Sequence, residues 1–146
     1  MSYRLALTLA VFGFSSIVAA APDDDGPRRD ATKALQAVVH INFADAERQE
    51  FGLKNIENIL KNAETGAEIE VVCHGMGIGL LVSSKTKHGE AVKKLMDGGV
   101  RFVACENTMK KQSIKKDDLL HGTGTVPSGA LEVVRKQREG YAYFKP

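Results

Sequence analysis

A cysteine stands where an apolar run meets polar residues that favour the start of a helix. The apolar residues within 100–103 favour a buried strand, and Asn107 and Thr108 are of types that cap helices by accepting hydrogen bonds from free backbone N–H groups. The sequence therefore predicts that Cys105 lies at the junction of a strand and a helix. A thiol beside a helix N-terminus feels the positive end of the peptide dipoles, which favours the thiolate, the form that attacks sulfur or binds a metal.

Two other roles for Cys105 remain open at this point. In the first, Cys105 is a small buried apolar residue that ends a strand, because unpaired cysteine is among the most buried residue types. Alternatively, if their strands are adjacent, Cys73 and Cys105 fall near the separation that a disulfide tolerates. Such a bridge would close the loop of residues 74–104 and stabilise the fold by about 3–4 kcal/mol in the loop-entropy model. The bridge would either block Cys105 as a nucleophile or act as a reversible dithiol pair.

Histidines add a third kind of chemistry. Cys73, His74, Cys105 and His121 are soft ligands suited to copper(I) or zinc, but their spacing shows no C-x-x-C or H-x-x-x-H pattern, so no metal is predicted. His74 follows a predicted strand and is interpreted as a supporting residue for the Cys105 site. The other histidines are interpreted as surface or packing residues: His40, His88 and His121.

The glycines at positions 75, 77 and 79 follow a predicted strand, which is the layout of a phosphate-binding turn. Their G-x-G-x-G spacing lacks the Gly-Lys-Ser/Thr of a P-loop, and no acidic residue ends a strand about twenty residues further on, as a dinucleotide site requires. We interpret the glycines as residues that permit a tight strand-to-helix turn. No organic cofactor is predicted.

The composition excludes one class of partner. The chain has 146 residues, with 20 Lys and Arg against 18 Asp and Glu. A nearly neutral chain with dispersed charges offers no electrostatic basis for binding nucleic acid.

The N-terminal segment has the layout of a secretory signal peptide. An uncharged apolar run over residues 5–14 is followed by small residues, and cleavage after Ala20 places Val18 and Ala20 where signal peptidase needs small side chains. A retained membrane anchor is the alternative. We predict that residues 1–20 are removed, that 21–33 form a flexible charged leader, and that the mature protein is periplasmic or secreted and not held in a membrane.

One domain is predicted over residues 34–146, with strands and helices in alternation. The predicted strands cover 35–43, 68–74, 100–105 and 141–146. Predicted helices begin after Asp45, near Gly89, at Asn107 and after Ser128. This alternation predicts a three-layer α/β fold with a mainly parallel sheet, in which ligands bind at the carboxyl ends of the strands. Cys73, His74 and Cys105 all fall at such ends.

Four segments resemble the DsrE/DsrF-like family of small sulfur-relay proteins. They are GVRFVACENTM at 99–109, DLL at 118–120, VPSG at 126–129 and REGYAYFKP at 138–146. The resemblance covers about residues 34–146. It implies a five-stranded parallel sheet, assembly into trimers or hexamers and, in some relatives, a cysteine that accepts and passes on sulfane sulfur as a persulfide. Cys105 matches the cysteine of that segment.

From these observations we predict an exported sulfur carrier or sulfurtransferase that uses Cys105. Its thiolate would attack the outer sulfur of a donor and release that sulfur to an acceptor thiol, and His74, Asn107 and Thr108 would supply hydrogen-bond donors. The predicted partners are donor and acceptor proteins or small sulfane-sulfur compounds, in a homotrimer or homohexamer. The alternative is a non-catalytic oligomeric interaction module in which Cys73 and Cys105 are structural or redox-paired.

Overall fold

The computed structural model describes residues 33–146. The strands are β1 (Leu35–Ile41), β2 (Ala67–Cys73), β3 (Arg101–Cys105), β4 (Gly124–Val126) and β5 (Ala142–Phe144). The helices are α1 (Ala46–Asn62), α2 (Gly89–Asp97), α3 (Glu106–Lys111) and α4 (Gly129–Arg138), with short 3₁₀ helices at Gly75–Leu81 and Lys116–Asp118. The predicted signal peptide (1–20) and nearly all of the predicted leader (21–33) lie outside the described residues.

The five strands form one sheet in the order β4-β3-β2-β1-β5, and every pair of neighbours is parallel. This confirms the predicted α/β fold and its parallel sheet. Strand β5 lies at one edge, where the final proline costs no ladder hydrogen bond. Within residues 33–146, no helix is both long and apolar enough to cross a lipid bilayer.

The larger core lies on one face of the sheet, under α1, α2 and the first 3₁₀ helix. Its buried side chains alternate along the strands with those of the opposite face, as in any pleated sheet. Those at the centre are Val39, Ile41, Ile56, Ile69, Val71, Cys73, Ile78, Leu80, Val92 and Phe102. Helix α1 begins as predicted, because the Asp45 side chain accepts a hydrogen bond from the backbone N–H of Arg48 at 2.7 Å.

Helix α4 packs across the other face, over a smaller apolar cluster. The cluster consists of Val38, Val72, Val103, Val126, Val133 and Tyr141. The predicted Ser128 cap is present, since its hydroxyl accepts from the backbone N–H of Leu131 at 3.4 Å. Helices thus cover both faces and the fold has three layers. On the outer side of α4, Leu131 and Val134 are 65% and 52% exposed.

A buried carboxyl group lies under α4. Glu70 of β2 is 2% exposed, and among the described residues neither of its oxygens has a hydrogen-bond partner. The nearest cations are Arg101, with Nε 3.5 Å from Glu70 Oε2, and Lys136, with Nζ 3.8 Å from it. Burial, together with the neighbouring carboxylate of Glu132, raises the pKa of Glu70 to about 7 in spite of these cations.

This carboxyl group makes stability depend on pH in a direction that can be tested. Because its folded-state pKa is raised, Glu70 contributes stability that is complete below pH 4.5 and is lost as the pH rises through 7. We expect E70Q to remove that loss, so that the variant gains about 2 kcal/mol in unfolding free energy relative to wild type between pH 5 and pH 8. Urea unfolding at both pH values measures this difference. The matched control is E68Q, because hydrogen bonds from Tyr141 and Gln36 lower the pKa of Glu68; a parallel response of both variants would contradict the assignment.

Candidate functional site

Cys105 is the last residue of β3 and directly precedes α3. Its predicted position at a strand-to-helix junction is therefore confirmed. The prediction that Asn107 and Thr108 cap the helix is wrong, because β3 runs into α3 with no intervening loop and Cys105 itself occupies the cap position. Asn107 and Thr108 instead lie in the first turn, where backbone N–H groups have no partner within the helix.

The first turn of α3 lies beside the Cys105 thiol, and there the backbone N–H of Asn107 also donates to the carbonyl of Pro127 at 3.3 Å. Burial of Cys105, which is 5% exposed, acts to raise its pKa, but hydrogen bonds from the Thr108 hydroxyl and from the backbone N–H groups of Gly129, Thr108 and Asn107 outweigh it. The pKa of Cys105 is therefore lowered from its ordinary value. The donors come from two helices, α3 and α4, whose first turns meet at the sulfur. The thiol is thus poised as a nucleophile.

The hydroxyl of Thr108 links three parts of the site. Its oxygen accepts a hydrogen bond from the backbone N–H of Gly75 at 3.0 Å, and the same hydroxyl is one of the groups that lower the pKa of Cys105. Gln112, just after α3, donates to the carbonyl of Gly75 at 3.1 Å. The 3₁₀ helix that follows β2 is therefore tied to α3, and the hydroxyl is held in place.

We expect T108V to slow alkylation of Cys105 by iodoacetamide about tenfold at neutral pH, which corresponds to the loss of one hydrogen bond to a charged group. The rate is measured against pH by mass spectrometry. T108S keeps the hydroxyl and should retain the wild-type rate. T125V is the control for removing a hydroxyl at the same edge of the sheet, because Thr125 donates to Glu106 and not to the sulfur. A rate unchanged in T108V would show that the hydroxyl does not activate the thiol.

Cys73 lies on the other side of the sheet. It pairs with Ala104 in the β2–β3 register, so its side chain points to the larger core, whereas Cys105, one residue further, faces α4. Both cysteines are free, and burial alone strongly raises the pKa of Cys73. The predicted alternative of a Cys73–Cys105 pair is therefore wrong for this arrangement, since side chains on opposite faces do not meet the geometry of a disulfide.

His74 lies beside Cys105, at the end of the neighbouring strand. A methyl group placed on Gly129 would lie 2.9 Å from His74 Cβ and 3.2 Å from Cys105 Cβ, so both side chains flank the first residue of α4. The predicted grouping of His74, Asn107 and Thr108 around Cys105 is thus what the structure brings together. A side chain at Gly129 would enter the site itself.

His40, which the sequence indicates to be a surface or packing residue, is half-buried and packs against His74 and Tyr143. Its Nε2 lies 2.6 Å from Nε2 of His74, and its Nδ1 lies 2.9 Å from the hydroxyl of Tyr143. The periodicity of the strands could have placed His40 near His74. Both residues stand at even positions near the carboxyl ends of adjacent parallel strands, so their side chains share a face.

The other ligand-binding alternatives find no support at this edge. His121 lines a cleft along α1 and α2 instead of approaching Cys105. Across residues 33–146, no three His, Cys, Asp or Glu side chains group in a way that could hold a metal ion. Packing accounts for the central glycine of the G-x-G-x-G run. A methyl group on Gly77 would lie 2.3 Å from the carbonyl oxygen of Ile41. This close packing requires glycine whether or not a phosphate binds.

The fold and the site together define a small parallel α/β domain with a cysteine at the carboxyl edge of its sheet. The profile of the DsrE/DsrF-like family matches residues 33–146, and the chain belongs to that family. No curated protein sequence matches the chain.

Several solved structures are similar to it, including the following two. One is MTH1491 from Methanobacterium thermoautotrophicum, a protein of unknown function, with 37% sequence identity and a TM-score of 0.73; the match covers 77% of this chain and 99% of that one. The other is the ychN protein from E. coli, with 12% identity and a TM-score of 0.64, again over 77% of this chain and 99% of that one. The second likeness concerns the fold alone.

Proposed function

We propose that this protein is a sulfur carrier in which Cys105 takes up a sulfane sulfur as a persulfide and passes it to an acceptor. The observation that carries the proposal is the position of Cys105 at the cap of α3 and beside the first residue of α4, where hydrogen bonding from Thr108, Gly129 and Asn107 lowers the pKa of its thiol. Membership of the DsrE/DsrF-like family adds a sulfur-relay role in the broad sense. A thiol whose pKa is lowered by hydrogen bonds is suited to sulfur exchange, because the thiolate is the form that attacks.

The proposed reaction has two halves. In loading, the Cys105 thiolate attacks the outer sulfur of a donor persulfide or polysulfide, the donor S–S bond breaks, and the donor leaves as a thiolate that takes up a proton. In discharge, an acceptor thiol loses its proton and attacks the outer sulfur of the Cys105 persulfide, which returns Cys105 to its thiolate. Each half exchanges one S–S bond for another, so no oxidant, metal or organic cofactor enters the reaction.

The proposal extends to location and partners. In it, residues 1–20 direct export and are removed, and the domain works in the periplasm or outside the cell. Its donors and acceptors are proteins or small sulfane-sulfur compounds. It assembles as a homotrimer or homohexamer, and the exposed Leu131 and Val134 of α4 are apolar side chains of the kind that such contacts bury.

A transfer assay tests the function. The protein is treated with inorganic polysulfide, desalted and mixed with sulfite, and the thiosulfate formed is measured. We expect about one sulfur per subunit from wild type and from C73S, and none above background from C105S, because sulfite removes the outer sulfur of a persulfide. Equal yields from C105S and wild type would reject Cys105 as the carrier, and would favour an interaction module.

A further inference from the structure

Three side chains, from β5, from β1 and from the residue that follows β2, form a continuous hydrogen-bonded row beside the Cys105 site. Tyr143 of β5 contacts Nδ1 of His40 through its hydroxyl at 2.9 Å, and Nε2 of His40 contacts Nε2 of His74 at 2.6 Å. The two imidazole rings face each other through their Nε2 edges, with centroids 4.7 Å apart and planes 21° from parallel. The two half-reactions of the proposed sulfur exchange at Cys105 use neither His40 nor Tyr143.

The row ends at the first residue of α4, which also flanks Cys105. Next to the His74 ring is Gly129, whose backbone N–H is one of the donors to the Cys105 sulfur; a methyl group at Gly129 would lie 3.2 Å from His74 Cδ2 and 3.2 Å from Cys105 Cβ. A molecule that reaches the sulfur on this side therefore comes beside the His74 imidazole. Tyr143, at the other end, is 45% exposed and connects the row to solvent.

The contacts of the row define its protons. Two nitrogens 2.6 Å apart cannot both carry a proton, so one Nε2 donates and the other accepts. The ionisable groups that act on His40 are His74 at the end of β2 and Lys145 after β5, and Lys145 acts on His74 as well. Burial first, then His74 and Lys145, lower the pKa of His40 to about 4, and burial and Lys145 also lower the pKa of His74. At neutral pH the pair is therefore uncharged and can accept one proton.

The geometry points to His74, hydrogen-bonded to His40, as the base that takes the proton of the acceptor thiol when sulfur leaves Cys105, with His40 and Tyr143 as positioning residues that orient it. This inference rests on the proposed function and adds residues to it. It also concerns the class of acceptor, because a base is needed only for an acceptor that arrives protonated, such as an alkyl thiol.

The step balances without a co-reactant. The acceptor S–H bond breaks, its proton passes to the free imidazole nitrogen of His74, and its sulfur bonds to the outer sulfur of the persulfide. The S–S bond to Cys105 breaks, and Cys105 leaves as a thiolate held by its hydrogen-bond donors. In the next loading half-reaction the departing donor thiolate takes up the proton, which returns the pair to its uncharged form.

The choice of acceptor gives the test. Wild type, H40Q and Y143F are loaded with inorganic polysulfide, desalted, and discharged at pH 8 to N-acetylcysteine or to sulfite, whose attacking sulfur carries no proton. We expect H40Q to slow discharge to N-acetylcysteine about tenfold or more and Y143F to slow it less, with sulfite rates within about twofold of wild type, since general-base effects of this kind are commonly about a hundredfold or greater. The matched control is H121Q, a histidine on the cleft along α1 and α2.

Each outcome decides between the claims. If H40Q slows both acceptors equally, or neither, His74 is not the base and the inference is overturned while Cys105 remains the carrier. If wild type takes up no sulfur at all, the proposed function fails first. Loading and the sulfite rate are measured on the same samples, so misfolding of H40Q would reduce both quantities. In that case Y143F, which keeps the aromatic ring and removes only the hydroxyl, decides whether the inference holds.

Discussion

Replacing Cys105 by serine is expected to abolish alkylation of the folded protein by iodoacetamide at pH 7, whereas replacing Cys73 should leave the rate unchanged. Only the thiolate reacts with iodoacetamide. When the pKa of a thiol lies above the pH of the experiment, each further unit of pKa lowers the thiolate fraction about tenfold. The pKa of Cys105 is lowered by its hydrogen-bond donors, while complete burial strongly raises that of Cys73. We therefore expect the two rates in wild type to differ by more than about a hundredfold.

Peptide mass spectrometry of the alkylated protein measures both sites at once. In denaturant the two cysteines should react at similar rates, because the environments that separate them exist only in the folded protein. Equal reactivity in the folded state, or faster reaction at Cys73, would remove the basis for treating Cys105 as the nucleophile.

The largest loss of stability is expected from G77A. A methyl group at this position would lie 2.3 Å from the carbonyl oxygen of Ile41 and 2.6 Å from its carbonyl carbon, so the backbone itself has to move. Overpacking usually costs about 1–3 kcal/mol and more when backbone must shift, so we expect a loss of about 3 kcal/mol or more in unfolding free energy. The same carbonyl accepts the backbone N–H of His74 at 3.2 Å, so the movement also displaces the histidine row.

Urea unfolding of G77A and G79A separates crowding from the general effect of replacing glycine. Both residues lie in the 3₁₀ helix at Gly75–Leu81, but a methyl group on Gly79 has no atom within 4 Å. We expect G79A to be close to wild type, within about 1 kcal/mol. Equal losses in the two variants would mean that the contact with Ile41 is not what requires glycine at position 77.

Much of the fold could be predicted because its elements are long and strongly patterned. The nearly continuous apolar run that predicted a strand over 35–43 became β1, and the helical spacing after Asp45 became α1. Strand β4 was missing from the pattern, since Gly124–Val126 is only three residues long and stands among glycines and threonines. Such a short strand forms because it pairs with β3. The β-propensities of its own residues do not reveal this pairing.

The site was predicted only as far as one strand end. Cys105 and its neighbours in α3 are consecutive in sequence, so their proximity follows from local structure. The contribution of Gly129, by contrast, requires the packing of α4 against the sheet, and the contact between His40 and His74 requires knowledge that β1 and β2 are neighbours. Likewise, the opposite faces of Cys73 and Cys105 follow from a register that one residue of slip would reverse.

Intact mass spectrometry of the domain after exposure to inorganic polysulfide tests the central claim most directly. The account predicts a gain of one sulfur, about 32 Da, on wild type and on C73S, and its complete reversal by a thiol reductant, because a thiol attacks and breaks the S–S bond of a persulfide. C105S should gain nothing. A gain on C105S, or none on wild type under conditions where Cys105 is reduced and alkylates readily, would contradict the assignment of Cys105 as a sulfur carrier.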